Sequence, residues 1–412
     1  MLGAICCFLL FSDPPAKTGL PETPTGTAQP LHQLPVEVKV APSAAAKLRQ
    51  GYAAEPRCVQ VPKRLFHKPP DSWAKVISSQ ARLAANHKTL AILIPEEARS
   101  FRLLLIQRGR IQSEYFLRLP PGEELPVGRF AVSEDDSYVL LFTRETILVY
   151  GQGTYLATIR AHSAEATVVK GELHFFPIPE TPYQSLKHAL KTGEELPALW
   201  VRSELDGSNQ ETLLRVNPKR LDPEYPAANE WAMAVAPRAD GKLWLVGIWS
   251  AEVLLATPSG SILRSTVLPF RFPTEADDPE KTQRKVEEAK KLAEAKLAEA
   301  GLLDATRRPA RGVLWVGLGR RLFWNAFARG NDLVVTTTDM TKPPVAVLVY
   351  PADGAETRCL TFDEPTDVAA KIASRLAVTD EELWLAEPFG YYRWEELEEL
   401  FSPREDKEGK GT

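Results

Sequence analysis

No stretch of this sequence is long and apolar enough to cross a membrane as a helix. Its first apolar run, Met1 to Phe11, has about the length of a secretory h-region and falls short of the roughly 20 residues that a bilayer demands. Histidine is scarce, and His32, His67, His87, His162, His174 and His188 show neither His-x-His nor His-Glu-x-x-His spacing, so no metal-hydrolase motif is present. A Gly-x-Ser-x-Gly elbow is missing as well. Gly151-Gln152-Gly153 sits between two apolar runs, where a hairpin explains its glycines better than a phosphate loop does. A basic excess is also lacking: 50 Lys and Arg stand against 54 Asp and Glu, for a net charge of −4. That balance provides no electrostatic footprint for nucleic acid and no polybasic anchor for an anionic membrane.

Cysteine is nearly as scarce. Cys6 and Cys7 lie in the first apolar run, which leaves Cys58 and Cys359 for the folded body, without the Cys-x-x-Cys spacing of a zinc site. Two separate buried thiols are the preferred reading; a single disulfide is the alternative in an oxidising compartment. The leader Met1–Phe11 lacks a basic n-region and a small-residue cleavage site, yet is read as a candidate signal segment. Residues 1–34 then form a leader and a Pro/Thr-rich tether. Export to a periplasmic or extracellular location is preferred over a cytoplasmic one.

What the chain does contain is a repeat. Trp231–Leu268 reads as four short strands: Trp231, Met233 and Val235; an Asp240-Gly241 turn and Leu243–Val246; Val253–Leu255; then a Thr257–Gly260 turn and Ile262–Leu268. Similar units occupy Ala81–Leu119, Gly128–Ile159, Ala166–Val216, Gly312–Phe362 and a last, three-stranded one from about Ile372 to Trp394. The alternating strand Val36–Val40 is expected to complete the last unit and close the ring. The expected fold is all-β: a six-bladed β-propeller, five to seven blades being compatible with the pattern, over residues 36–394.

The unit Val253–Leu268 beside Val345–Phe362 resembles the six-bladed propellers of the NHL and TolB-like kind, with divergent blades. Gluconolactonase-like propellers hold a metal with acidic and amide residues at the channel mouth. No such set is matched residue by residue here.

Three helical segments depart from the repeat. Residues 270–311 form a helical insertion, with a helix over Pro279–Ala300 marked by Val286, Ala289, Ala293 and Leu297 and the pair Glu287/Lys291. A second helix is expected over Tyr183–Lys191, stopped by Gly193, and residues 395–412 read as a short helix and a charged tail. Both insertions fall in connections that open on one face of a propeller. That face is expected to carry the ligand- or partner-binding residues Trp249, Tyr391, Tyr392, Phe389, Arg144, Glu145, Glu252 and Asp339, because aromatic groups among charges suit a protein, peptide or glycan. Packing between blades is the bland reading of Trp249 and Tyr391, and a solvated rim that of the carboxylates. His174, on an apolar strand, is expected inside the body as a hydrogen-bonded core histidine.

The function expected from these features is that of a non-catalytic binding or scaffold propeller. No transmembrane span, cofactor, metal ligands, catalytic residues or nucleic-acid partner is expected for it. A metal-dependent lactonase or hydrolase with a site at the channel mouth is the alternative.

Overall fold

The structure, a computed structural model, describes residues 7–10, 37–41, 58–70, 73, 81–96, 99–123, 130–143, 145–161, 163–177, 188–189, 192–216, 233–247, 252–268, 284, 287, 291, 313–317, 325–338, 345–362, 376–386 and 388–401. The chain divides into two compact units, one of Met1–Gly51 with Phe272–Arg320 and one of Tyr52–Arg271 with Arg321–Thr412.

The larger unit is a six-bladed β-propeller. Blade 1 is Arg82–Ala85, Leu90–Pro95, Ser100–Gln107 and Arg110–Arg118. Blade 2 is Phe130–Val132, Tyr138–Phe142, Thr146–Gly151 and Thr154–Arg160. Blade 3 is Ser163–Val169, Glu172–Pro177, Ala198–Ser203 and Glu211–Arg215. Blade 4 is Met233–Pro237, Leu243–Gly247, Glu252–Ala256 and Ile262–Val267. Blade 5 is Asn325–Arg329, Asp332–Thr338, Val345–Tyr350 and Arg358–Phe362. Blade 6 has three strands, Leu376–Val378, Glu382–Ala386 and Phe389–Arg393. Each blade is an antiparallel meander in sequence order. The first strands touch in turn around a ring, and Leu376–Val378 returns against Arg82–Ala85.

The burial patterns explain why these sequences make blades. Middle strands are covered on both faces by neighbouring blades, so Leu90–Pro95 and Leu243–Gly247 are almost continuously apolar and buried. Outer strands face solvent: Arg110–Arg118 is exposed or half-exposed except at Leu117. One apolar cluster fills the junction of blades 1 and 2, built on Leu93, Leu103, Leu141 and Tyr150. Another joins blades 6 and 1 through Trp73, Ile92, Leu104 and Trp384.

Ring closure corrects the sequence reading. An N-terminal strand does close the propeller, but it is Cys58–Gln60, paired in parallel with Arg358–Phe362 of blade 5, followed by a bridge from His67 to Tyr391 of blade 6. The strand Glu37–Ala41 lies in the other unit. There it pairs in parallel with Val313–Gly317, whose opposite edge pairs antiparallel with Cys7–Leu10. Blade 5 therefore starts at Asn325 and not at Gly312. The reason is register: two short strands of similar pattern were available for closure, and only long-range pairing distinguishes them.

The closing strap is held chemically as well. Cys58 and Cys359 form a disulfide, which overturns the expectation of two separate thiols. Their partner strands stand side by side in register, a pairing that 301 residues of separation hide from the sequence. Gly390 makes the strap's approach feasible, because a Cβ there would lie 2.3 Å from Phe66 Cζ and 2.5 Å from the His67 carbonyl oxygen. The last element among the described residues is a helix, Trp394–Glu399, whose Trp394 and Leu397 are buried. Of the two expected longer helices, His188, Ala189 and Thr192 are helical ahead of Gly193 (φ 74°), as are Arg284, Glu287 and Lys291. Their remaining residues lie outside the described ones.

Removing the disulfide by Cys58→Ser together with Cys359→Ser is expected to cost about 2–5 kcal/mol, read as a lowered midpoint in denaturant unfolding.

Candidate functional site

The first hairpin turn of several blades carries a polar residue that reaches the adjacent blade. Asn86, in the turn of blade 1, donates through Nδ2 to the Ser133 carbonyl (2.8 Å) and to Asp136 Oδ1 (2.7 Å) of blade 2. Its Oδ1 accepts the Lys88 and Thr89 N–H groups, which fixes the turn. Asp136 also accepts from Thr89 Oγ1 (2.7 Å) and Gln107 Nε2 (2.9 Å). In blade 5, Asn331 accepts the Asp240 N–H of blade 4 through its side chain and the Trp244 indole N–H through its carbonyl.

The fullest of these links joins blades 5, 6 and 1 at Asp380. Its N–H donates to the His87 carbonyl (2.8 Å), and its carboxylate faces His87 Nδ1 at 3.1 Å. The same Oδ1 accepts the Gly330 N–H (2.6 Å), while Arg329 Nε donates to the Asp380 carbonyl (3.2 Å). Burial pushes the Asp380 carboxyl up, but the hydrogen bonds from His87 and Gly330 and the charges of His87 and Arg329 outweigh it and hold the group below its ordinary value. An ionised carboxylate only accepts, so His87 Nδ1 carries the proton in this contact. His87 is 7% exposed, and Nε2 has no hydrogen-bond partner among the described residues.

His87 lines two spaces. One is the central channel, a cavity of about 100 Å³ walled by the first strands of all six blades. Alanines 84, 131, 166, 236 and 326 line it, with Glu165 and Asn325 among its buried polar groups. The other is a cleft of about 740 Å³ between blades 1 and 6. Blade 1 supplies Lys88 from its first turn and Arg108 and Arg110 at its last. The Arg108-Gly109 pair has φ 48° and 70°, the left-handed geometry of a tight two-residue hairpin turn. Blade 6 faces them with Asp380, Glu381 and Glu382, and Leu90, Ile106 and Trp384 give the cleft an apolar part. Glu382 accepts the Trp384 indole N–H at 2.9 Å; burial, reinforced by the charge of Glu381, nevertheless pushes its carboxyl above the ordinary value. Among the described residues no three His, Cys, Asp or Glu side chains converge as a metal site.

No family model matches this chain, and no curated protein matches it. Solved structures align with it at low similarity. A member of the DUF4221 family from Bacteroides vulgatus aligns at 11% identity and a TM-score of 0.45 over 81% of this chain and 92% of that one. Virginiamycin B lyase from Staphylococcus aureus aligns at 12% and 0.37, over 74% and 73% of the two chains. BamB from Moraxella catarrhalis aligns at 11% and 0.31, over 76% and 71%. At these identities and TM-scores the likenesses carry no argument, and the fold rests on the strand pairing of this chain.

The sequence-predicted site residues are dispersed. Trp249, Arg144 and Asp339 lie outside the described residues. Glu145 is exposed in the second-to-third-strand turn of blade 2, and Glu252 of blade 4 accepts from Ser265 Oγ at 3.1 Å. The three aromatics do come together in blade 6, as packing. Tyr392 is 6% exposed between Phe66 and Phe362, so it is a core side chain. Tyr391 is half-buried between His67 (5.3 Å) and Trp384 (4.6 Å), and Phe389 lies against Trp384 at 5.7 Å. Sequence reasoning passed over His87, Lys88, Arg108, Arg110 and Asp380, because each reads as an ordinary turn residue. The available signal was the recurrence of Asn or Asp in the first-hairpin turns of every blade but the third.

His174 is where the sequence placed it: fully buried, accepting the Trp200 indole N–H on Nδ1 at 3.2 Å. Burial, with the Arg202 charge in support, pulls its pKa from 6.5 down to about 4. Between those values the unfolded chain binds the proton and the folded one does not. Stability therefore rises with pH across the window and is lost as pH falls through it. His174→Gln is expected to flatten the dependence of the urea midpoint on pH over that range. Asp380→Ala strands the Gly330 N–H and His87 and is expected to cost roughly 3 kcal/mol in the same assay at neutral pH.

Proposed function

We propose that this protein is a non-catalytic binding propeller whose ligand enters the cleft between blades 1 and 6. The observation that carries the reading is the cleft itself, which Lys88, Arg108 and Arg110 of blade 1 and Asp380, Glu381 and Glu382 of blade 6 line with charge. His87 lines it too, buried and oriented by Asp380 through Nδ1. The cleft volume of about 740 Å³ falls inside the range of small-ligand sites. The Cys58–Cys359 disulfide supports placing the protein in an oxidising, extracytoplasmic compartment.

The test is native mass spectrometry of the full chain after exposure to a total small-molecule and peptide extract. A ligand retained with unchanged mass, and lost when the cleft walls are altered by Lys88→Glu with Glu381→Lys, is the expected result. Conversion of the ligand into a released product overturns the non-catalytic reading. Retention unaffected by the double substitution overturns the assignment to this cleft.

A further inference from the structure

We propose that the Cys58–Cys359 disulfide is a reducible latch: a dithiol reductant opens it at Cys58 and frees the closing strap while the six blades stay folded. The inference does not depend on what the cleft between blades 1 and 6 takes. The two cysteines are unequally placed. Cys58 is an exposed residue on the outermost strand of the blade 5 sheet, and it lines a groove of about 1050 Å³ between the strap, blade 5 and the C-terminal helix. Cys359 is fully buried in Arg358–Phe362. A reductant therefore reaches Cys58 first. The strap itself is thinly anchored. From Cys58 to His67 only Val61 is buried, and the turn Lys63–Leu65 buries nothing. Its backbone is held by three residue pairs on blade 5, the Val61 N–H on the Thr361 carbonyl (2.9 Å) and one bridge to Tyr391. Blade strands such as Leu90–Pro95 and Leu243–Gly247 are buried along nearly their whole length. Segments with few buried contacts and short ladders open at the low end of a protein's range of local stabilities, so the strap opens before the blades do.

The exchange is two successive substitutions at sulfur. A thiolate of the dithiol attacks Cys58 Sγ, the bond to Cys359 breaks, and Cys359 leaves as a thiolate that takes a proton from water. The second thiolate of the reductant then attacks the reductant's own sulfur in the mixed disulfide. Cys58 leaves and is protonated, and the reductant departs as a disulfide, having given two electrons to the protein. With the covalent tie gone, only the short ladder holds the strap. Its release uncovers the outer edge of Arg358–Phe362 and takes Phe66 from Tyr392 and His67 from Tyr391. Gly390 sets how closely the strap lies, since a Cβ there would meet Phe66 Cζ at 2.3 Å and the His67 carbonyl oxygen at 2.5 Å. Alanine at this position lifts the strap without touching either sulfur.

The experiment treats the full chain with dithiothreitol at neutral pH, without denaturant, and follows thiols and amide hydrogen exchange by mass spectrometry of peptides. Reduction is expected to speed exchange by about tenfold in Cys58–His67 and Arg358–Phe362 and to leave Leu90–Pro95 and Leu243–Gly247 unchanged. A brief pulse of the monothiol glutathione, stopped with acid, is expected to leave its adduct on Cys58 and not on Cys359. Gly390→Ala is expected to speed reduction by dithiothreitol by about tenfold. Reduction that occurs only in denaturant overturns the proposal. So does exchange that rises throughout the blades together with the strap, or a reduced strap as protected as the oxidised one. An adduct on Cys359, or a reduction rate unaltered by Gly390→Ala, overturns it as well.

Discussion

The structure depends on how its ring is closed. Junctions between consecutive blades are short-range: Asn86 reaches Asp136 across 50 residues. The junction of blades 6 and 1 joins His87 to Asp380 across 293. Each doubling of a closed loop costs about 0.6 kcal/mol, so this nearly sixfold longer closure carries an extra cost of roughly 1.5 kcal/mol. Asp380 of blade 6 meets that demand with contacts to two other blades: the backbone and ring of His87 in blade 1, and the Gly330 N–H and the Arg329 guanidinium in blade 5. Arg329 in turn lies over the Trp394 ring at 4.9 Å and pairs with Glu398, which ties the C-terminal helix to the same seam.

The strap from Cys58 to His67 reinforces the closure from outside. It adds a parallel strand to blade 5, a bridge to blade 6 and a disulfide between the strap and blade 5. Its aromatic contacts continue the theme, with Phe66 on Tyr392 and His67 on Tyr391, while Trp73 further along stacks on Trp384. The aromatics of blade 6 therefore serve closure. Their clustering among charges, which suggested a partner surface in the sequence, has this structural origin.

The blades were legible because their signals are local. Continuous apolar runs for covered strands, glycine turns and a repeating unit fix each meander within some 40 residues. The closing strand was not legible, since Val36–Val40 and Cys58–Gln60 are both short and differ only in what they meet far along the chain. The disulfide was hidden by the same distance. His174 was legible because a histidine on an apolar strand has few other places to go. His87 was not, since Asn86-His87-Lys88-Thr89 is a hydrophilic turn whose histidine becomes buried only when blade 6 arrives.

That last point links closure to the candidate site. Before blades 1 and 6 meet, His87 has no Asp380, and Lys88, Arg108 and Arg110 have no acidic wall opposite them. The contact that ends the ring also orients the imidazole and sets two unlike walls facing each other over Leu90, Ile106 and Trp384. An interior junction such as that of blades 1 and 2 is filled by apolar side chains and a satisfied Asn86–Asp136 network. The closing junction combines an apolar cluster with a cleft, a buried unpartnered nitrogen and separated charges. Closure alone would be served as well by a filled junction, so the cleft is the feature of this seam that the stability of the ring does not account for.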